Sequence, residues 1–123
     1  MSAGGELRVL VGALEYDRLV AFYREVLGLP VEEVWDSDDG QGTLFRAGAG
    51  IIELIADSPH HPAAPPQGVA VAIETDDVDG LYGRLRAAGA DVTLALDDRT
   101  WGHRSFEIRD PGGMRLVFFS VIG

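Results

Sequence analysis

The chain has 123 residues, 46% hydrophobic and 24% charged, a size and composition that suit a single domain over residues 1–123. It has no cysteine, which excludes disulfides, thiolate nucleophiles and cysteine-ligated metals. The net charge of −10 argues against nucleic-acid and membrane partners and favours cationic ligands. Because the chain lacks both a signal-peptide pattern and an apolar run of the roughly 20 residues that span a bilayer, we expect a cytoplasmic protein.

The first half of the chain predicts a βαβββ unit over residues 6–56. A short aliphatic run predicts a strand at 6–12. Apolar residues that recur at three- and four-residue steps then predict a helix over 16–27, and Gly28 ends it. Turn-forming segments separate three further predicted strands, at 31–36, 42–47 and 50–56.

The second half repeats this order over residues 69–120. Residues 57–68 contain four prolines, which cannot continue a helix or a central strand, so this segment is predicted to be a linker. The second helix starts in the capping sequence Thr75-Asp76-Asp77-Val78-Asp79 and stops at Gly89. The predicted elements are a strand at 69–74, a helix over 77–88, and strands at 91–96, 103–109 and 114–120.

The last two predicted strands form a hairpin around the turn Asp110-Pro111-Gly112-Gly113. Proline presets the backbone for the first corner of a turn, and the glycines accept a positive φ. The wider pattern that starts at Trp101, Trp-Gly-x-Arg-x-Phe-x-Ile-x-Asp-Pro-x-Gly, resembles the last hairpin of the vicinal-oxygen-chelate superfamily. This superfamily includes glyoxalase I, extradiol dioxygenases, fosfomycin-modifying enzymes and bleomycin-resistance proteins.

Shorter phrases in both halves resemble the same superfamily. Ala21-Phe22-Tyr23 followed by Leu27-Gly28-Leu29 is similar to its first helix, and Asp77-Val78-Asp79 followed by Ala88-Gly89 is similar to its second. The resemblance covers nearly the whole chain. It implies an α+β fold in which two tandem βαβββ units form a curved sheet with a concave cup, the glyoxalase/bleomycin-resistance fold.

The resemblance also implies where metal enzymes of the superfamily carry their four ligands, usually His or Gln and then Glu. The corresponding residues are Arg8, Glu53, Ala70 and Val117, and of these only Glu53 can donate a lone pair to a metal. We therefore expect no metal and no cofactor. We hypothesise that Arg8 pairs with Glu53 across the cup and supplies the positive charge of the missing metal. The alternative is that Glu53 is a partly solvated strand residue and Arg8 covers an edge.

The predicted strand 103–109 presents two different faces. Alternation places Phe106 and Ile108 on a face covered by a helix, and His103, Ser105 and Glu107 on the opposite face. Residues two apart on a strand are roughly 7 Å apart, and no nucleophile with a paired base is visible. We therefore predict ligand hydrogen bonding or solvation for this row, and no catalytic residue.

The resemblance is strongest to the metal-free bleomycin-resistance proteins, which act as homodimers that sequester a drug between protomers. It implies binding of a small molecule, such as an antibiotic or another cationic or polycyclic compound, without chemistry. Scattered aromatic side chains suit a planar ligand, although each of them is equally compatible with an ordinary core role. The predicted ligand-binding residues are Arg8, Trp35, Phe45, Glu53, Trp101, His103 and Phe119.

Two alternatives stay open. The first is a metal-dependent lyase, isomerase or dioxygenase of the same fold, whose ligands would come from Glu53, Glu74, His103 and Glu107. The second is an accessory or regulatory domain with a vestigial cup. Turnover of a substrate separates the first from a binding protein, and a collapsed cup that binds no small molecule would indicate the second.

Overall fold

A computed structural model describes residues 4–123 and confirms two tandem βαβββ units. The chain divides into two compact units, one up to Ala64 and one from Pro65 onward. Over the described residues each unit contains one mixed four-stranded sheet. In the same part of the chain, neither helix is long and apolar enough to cross a membrane.

The first unit builds its sheet in the order β1-β4-β3-β2. Strand β4 pairs in parallel with β1 and antiparallel with β3, so the first strand of the unit lies beside the last. This pairing sets Leu10 directly opposite Glu53. The elements are β1 (Arg8–Ala13), α1 (Tyr16–Ala21), β2 (Val31–Ser37), β3 (Gly40–Ala47) and β4 (Gly50–Ala56).

The second unit has the same topology, with the strand order β5-β8-β7-β6. Strand β8 pairs in parallel with β5 and antiparallel with β7. Strand β6 continues to Asp98, two residues further than predicted, and carries two register irregularities. The elements are β5 (Ala70–Glu74), α2 (Val78–Ala87), β6 (Asp91–Asp98), β7 (His103–Arg109) and β8 (Arg115–Val121).

The core of each unit lies between its helix and one face of its sheet. Tyr23 and Phe45 are both fully buried, with ring centroids 5.7 Å apart. In the second unit the ring of Tyr82 lies 4.9 Å from that of the buried Phe106. Because side chains alternate along a strand, each sheet also has a face that points away from the helix. We call this the open face.

The first helical segment differs from its prediction. It is α-helical only to Ala21 and continues as a π-helix over Phe22–Val26, in which the N–H of Leu27 donates to the carbonyl of Phe22 at 3.0 Å. A π-turn adds one residue per turn, which amphipathic spacing does not reveal. Strand β1 also starts later than predicted, at Arg8 instead of Glu6.

The turn of the last hairpin forms where predicted, and Asp110 stabilises it. The buried carboxylate of Asp110 accepts hydrogen bonds from the backbone N–H groups of Gly112 at 2.8 Å and Met114 at 2.9 Å. Gly113 has a φ of +94°, which a side chain would strain. The sequence pattern predicted the turn and the positive φ of Gly113, and it missed the role of the aspartate.

Candidate ligand-binding surfaces

The open face of each sheet carries a buried glutamate bonded to an arginine. We name the first group the Glu53 cluster. It lies on β1, β2 and β4 and includes one residue two positions before β1; its members are Glu6, Arg8, Trp35 and Glu53. We name the second group, on β6, β7 and β8, the Glu107 cluster; it consists of Thr93, Glu107 and Arg115. Near one end of the second open face lies a ring pair that we name the His103–Phe119 stack.

In the Glu53 cluster the two carboxylate oxygens have different partners. The indole Nε1–H of Trp35 donates to Oε2 of Glu53 at 2.8 Å. Nη1 of Arg8 reaches Oε1 at 3.4 Å, the upper end of a hydrogen-bond distance. The side chain of Glu53 is only 10% exposed, whereas that of Arg8 is 41% exposed. The indole therefore fixes the carboxylate, and the arginine contact adds a longer charge interaction.

Arg8 interacts more closely with Glu6 than with Glu53. Its Nε and Nη2 lie 2.7 and 2.6 Å from the Glu6 carboxylate. The hydrogen bond that Arg8 donates to Glu6 is the main reason that the pKa of Arg8 lies above its usual range; burial opposes the increase, and Glu53 adds to it. The predicted Arg8–Glu53 pair is present, but the two residues lie on neighbouring strands of one sheet and do not face each other across a cup.

Gly42 makes the contact between Trp35 and Glu53 possible. Trp35 lies on β2 and Glu53 on β4, so the indole must pass over β3 to reach the carboxylate. Gly42 is the residue of β3 directly opposite Trp35, and a Cβ at this position would overlap the indole ring. A residue without a side chain is thus required here for packing.

In the Glu107 cluster the carboxylate accepts three short hydrogen bonds. Oε1 accepts from Nη2 and Nε of Arg115 at 2.8 and 3.1 Å, and Oε2 accepts from the hydroxyl of Thr93 at 2.6 Å. Burial raises the pKa of Glu107, but the hydrogen bonds from Arg115 and Thr93 outweigh it, and the net pKa is lowered. Glu107 is therefore held as a carboxylate with its partners already in place.

The aromatic residues of the second unit that were predicted to bind a ligand lie at the start of β7, on β8 and in the turn before β7. The rings of His103 and Phe119 are nearly parallel, at 11°, with centroids 4.3 Å apart. Trp101 lies in the turn and is 67% exposed. The guanidinium of Arg99 donates to the hydroxyl and the carbonyl of Ser105 at 3.1 and 2.9 Å, which ties this turn to β7.

The comparisons with known proteins agree with this fold. The sequence model of the Glyoxalase/Bleomycin resistance protein/Dioxygenase superfamily matches residues 8–118. The chain belongs to this superfamily. No curated protein sequence matches the chain significantly.

Solved structures similar to this superfamily member include an antibiotic-binding protein and a lyase. TioX from Micromonospora sp. ML1 has a TM-score of 0.78 at 24% identity, covering 97% of this chain and 100% of its own. TnmS3, an antibiotic-binding protein from Streptomyces sp. CB03234, has a TM-score of 0.78 at 21% identity, covering 98% of each chain. Lactoylglutathione lyase from Agrobacterium tumefaciens has a TM-score of 0.72 at 24% identity, covering 97% of this chain and 95% of its own. These likenesses show the fold and leave the branch of the superfamily open.

The structure brings some of the predicted site residues together and separates others. Arg8, Trp35 and Glu53 form one cluster, and His103 and Phe119 form a stack. The prediction that Phe45 binds a ligand was wrong. Phe45 lies on the helix side of its sheet and is fully buried, so it is not part of the candidate surface. Because both Leu44 and Phe45 are buried, alternation of polarity along β3 could not assign their faces.

Four contributing residues were missed by the sequence reasoning: Glu6, Gly42, Thr93 and Arg115. One of them carried a usable signal. The turn at 110–113 sets the register of the last hairpin. In that register Val117 is the direct partner of Glu107, and Arg115 lies two residues before Val117 on the same face of the sheet. The remaining three contacts depend on strand pairing or on ring packing that local sequence does not specify.

The side chains at the ligand positions that the resemblance implies do not fit a divalent cation. In the observed register, the direct partner of Glu53 on β1 is Leu10, and the direct partner of Val117 on β5 is Ala72. Leu10 and Ala72 have no side-chain atom that can ligate a metal. The same holds for Arg8, Ala70 and Val117, so Glu53 has no further ligand at these positions. Across residues 4–123, no three side chains of His, Cys, Asp or Glu gather closely enough to hold a metal ion.

Proposed function

We propose that this protein binds a small molecule, such as an antibiotic, and sequesters it without a metal and without chemical change. The observation that carries the proposal is the Arg8–Glu53 pair. One of the superfamily's four ligand positions keeps its carboxylate, and a position on the neighbouring strand supplies a guanidinium that contacts it. A guanidinium beside the carboxylate, in place of further metal-ligating side chains, suits binding better than metal chemistry.

The chemistry of the open faces supports a planar or cationic ligand. The His103–Phe119 stack and the exposed indole of Trp101 offer flat apolar surfaces, which are common in pockets for polycyclic molecules. The net charge of −10 raises the local concentration of cations. Binding of antibiotics by the similar protein TnmS3 is compatible with this proposal.

The metal-dependent alternative has less support. Two of its four candidate ligands, Glu53 and Glu107, are bonded to arginines. A metal ion would have to displace a guanidinium from each of them and would gain few donors in return.

The first test is the metal content of protein purified without chelator. We expect no stoichiometric metal and no rise in Tm on addition of zinc, nickel, manganese or iron(II). Quenching of tryptophan fluorescence by cationic and polycyclic antibiotics should then be saturable, and mass spectrometry should recover the antibiotic unchanged. One metal per chain with a stabilising shift, or conversion of the added compound, would contradict the proposal.

The resemblance further implies a homodimer, and the oligomeric state is part of the proposal. Sedimentation equilibrium with and without the best-binding antibiotic measures it directly. We expect a mass of twice 13.2 kDa. A monomer under both conditions would contradict the dimeric form of the proposal and leave the binding itself to the fluorescence experiment.

A further inference from the structure

One oxygen of the buried Glu53 carboxylate is weakly satisfied. Its Oε2 accepts a 2.8 Å hydrogen bond from Trp35. Within the described residues, Oε1 has one hydrogen-bond partner, Nη1 of Arg8, at 3.4 Å. Burial of a carboxylate is costly unless strong donors compensate it. Oε1 can therefore accept a shorter bond from a better-placed cation.

Arg8 is positioned to give up this contact. Its Nε and Nη2 are already bonded to Glu6 at 2.7 and 2.6 Å, so it keeps a partner when it leaves Glu53. Both Arg8 and Glu6 are about 40% exposed, at 41% and 40%, and water can solvate them as they move. The exchange thus costs one long contact and leaves no buried cation unpaired.

We propose that Arg8 is a displaceable counter-ion, and that the Glu53 cluster binds the ammonium or amidinium group of a ligand in its place. This inference rests on the proposed small-molecule function and specifies its ligand as an organic cation. The ligand's N–H groups donate to Oε1 of Glu53, and the neighbouring indole of Trp35 provides an aromatic surface for the cation. Leu10, directly opposite Glu53 and 52% exposed, contacts the carbon skeleton.

The Glu107 cluster shows why this property belongs to Glu53. Both glutamates are buried beside an arginine, but Glu107 accepts three bonds of 3.1 Å or less. Arg115 bonds Glu107 through two nitrogens. Within the described residues, Arg115 forms an ion pair with Glu107 and with no other side chain. A ligand would have to break this bidentate pair without compensation. We therefore expect no cation exchange there.

The experiment uses small probes that differ in charge and share one ring. Benzylammonium and benzamidinium are titrated into the full chain by calorimetry, with benzyl alcohol and phenylacetate as neutral and anionic controls. In the variant Trp101→Phe, Trp35 is the one remaining tryptophan, so its emission reports events at Glu53. We expect binding of the two cations with a change in Trp35 emission, and no saturable binding of the controls.

Three variants give a pattern that a merely structural role would not produce. Arg8→Ala removes the competitor and should tighten cation binding about tenfold. Glu6→Gln removes the negative charge of the alternative partner of Arg8, which weakens that pairing, and it should weaken cation binding about threefold. Glu53→Gln keeps an acceptor for Trp35 but loses the charge, and it should abolish cation binding. Arg18→Ala is the control for the loss of one positive charge, because Arg18 forms an exposed pair with Glu15 at the start of α1 and should leave the affinity unchanged.

The possible outcomes separate this inference from the proposed function. Weaker or unchanged cation binding in Arg8→Ala, with far-UV circular dichroism like that of the parent, overturns the displacement mechanism. If antibiotics bind but all four probes behave alike, the inference fails and the proposed function stands. If neither antibiotics nor probes bind, both fail.

Discussion

The two units place a similar pair of charges on similar sheets but hold them differently. In the first, Glu53 on β4 is fixed by an indole, and its arginine lies 3.4 Å away with a closer partner elsewhere. In the second, Glu107 on β7 is clamped by Arg115 and Thr93 at 3.1 Å or less. The same residue types therefore give one carboxylate that is available for exchange and one that is committed to the structure.

The difference follows from where the arginine originates. Arg115 starts β8, next to β7, and reaches the glutamate diagonally across a tight hairpin. Arg8 starts β1, an outer strand of its sheet, where Glu6 precedes it and competes for its guanidinium. A bidentate pair is stronger and geometrically more specific than a single long contact. Three changes test this comparison, in order of expected effect.

Gly42→Ala should disrupt the Glu53 cluster most strongly. The new Cβ overlaps the indole of Trp35, which must move away from Glu53, and overpacking of this kind costs about 2 kcal/mol. Urea unfolding measures the loss, and a shift in tryptophan emission reports the displaced ring. The matched control is Gly83→Ala on α2, where nothing lies within 4 Å of the added Cβ, and which should stabilise the protein by about 0.5–1 kcal/mol. Equal effects of the two substitutions would contradict the role of Gly42.

Glu107→Gln should destabilise the protein more than Glu53→Gln. The first substitution weakens three short charge-assisted bonds, for which we expect a loss of about 1.5 kcal/mol in the free energy of unfolding. The second keeps the acceptor for Trp35 and loses one long contact, so its effect should be smaller. Chemical denaturation of both variants at neutral pH makes the comparison. The reverse order would show that Glu53 is the structural member of the two.

Acid should remove the contribution of Glu107. Its folded pKa is lowered relative to 4.5, so its stabilisation is present above pH 4.5 and is lost as the pH falls through the lower folded value. We expect Thr93→Val, which removes one of the bonds that lower this pKa, to make the fall in unfolding free energy below pH 4.5 shallower. Unfolding curves across this range provide the measurement, and an unchanged slope would indicate that Thr93 does not tune the carboxylate.

Much of the fold could be predicted because its signals are local. The Asp-Pro-Gly-Gly turn, the capped start of α2 and the alternation in β7 each depend on residues within a few positions of one another. The π-helical segment at Phe22–Val26 was not predictable in this way, since the same apolar spacing also fits a continuous α-helix.

The candidate site was predictable in part. The resemblance singled out Arg8 and Glu53. The alternation of residues along β7 correctly placed Glu107 on the face of the sheet that Phe106 does not occupy. The face of Phe45 was wrongly inferred because β3 is buried on both sides. Binding of a ligand by Trp101, by His103 and Phe119, or by the Glu53 cluster stays a prediction for the experiments above.

The sequence by itself determined the order of elements, the family and the absence of a full set of metal-ligating side chains at the expected positions. Apart from the Arg8–Glu53 pair, which the resemblance had suggested, the tertiary structure decided which charges meet. The parallel pairing of β1 with β4 brings residue 8 beside residue 51, and the missing side chain of Gly42 lets Trp35 reach Glu53 over an intervening strand. Both depend on contacts between distant parts of the chain, and a local pattern contains no information about such contacts.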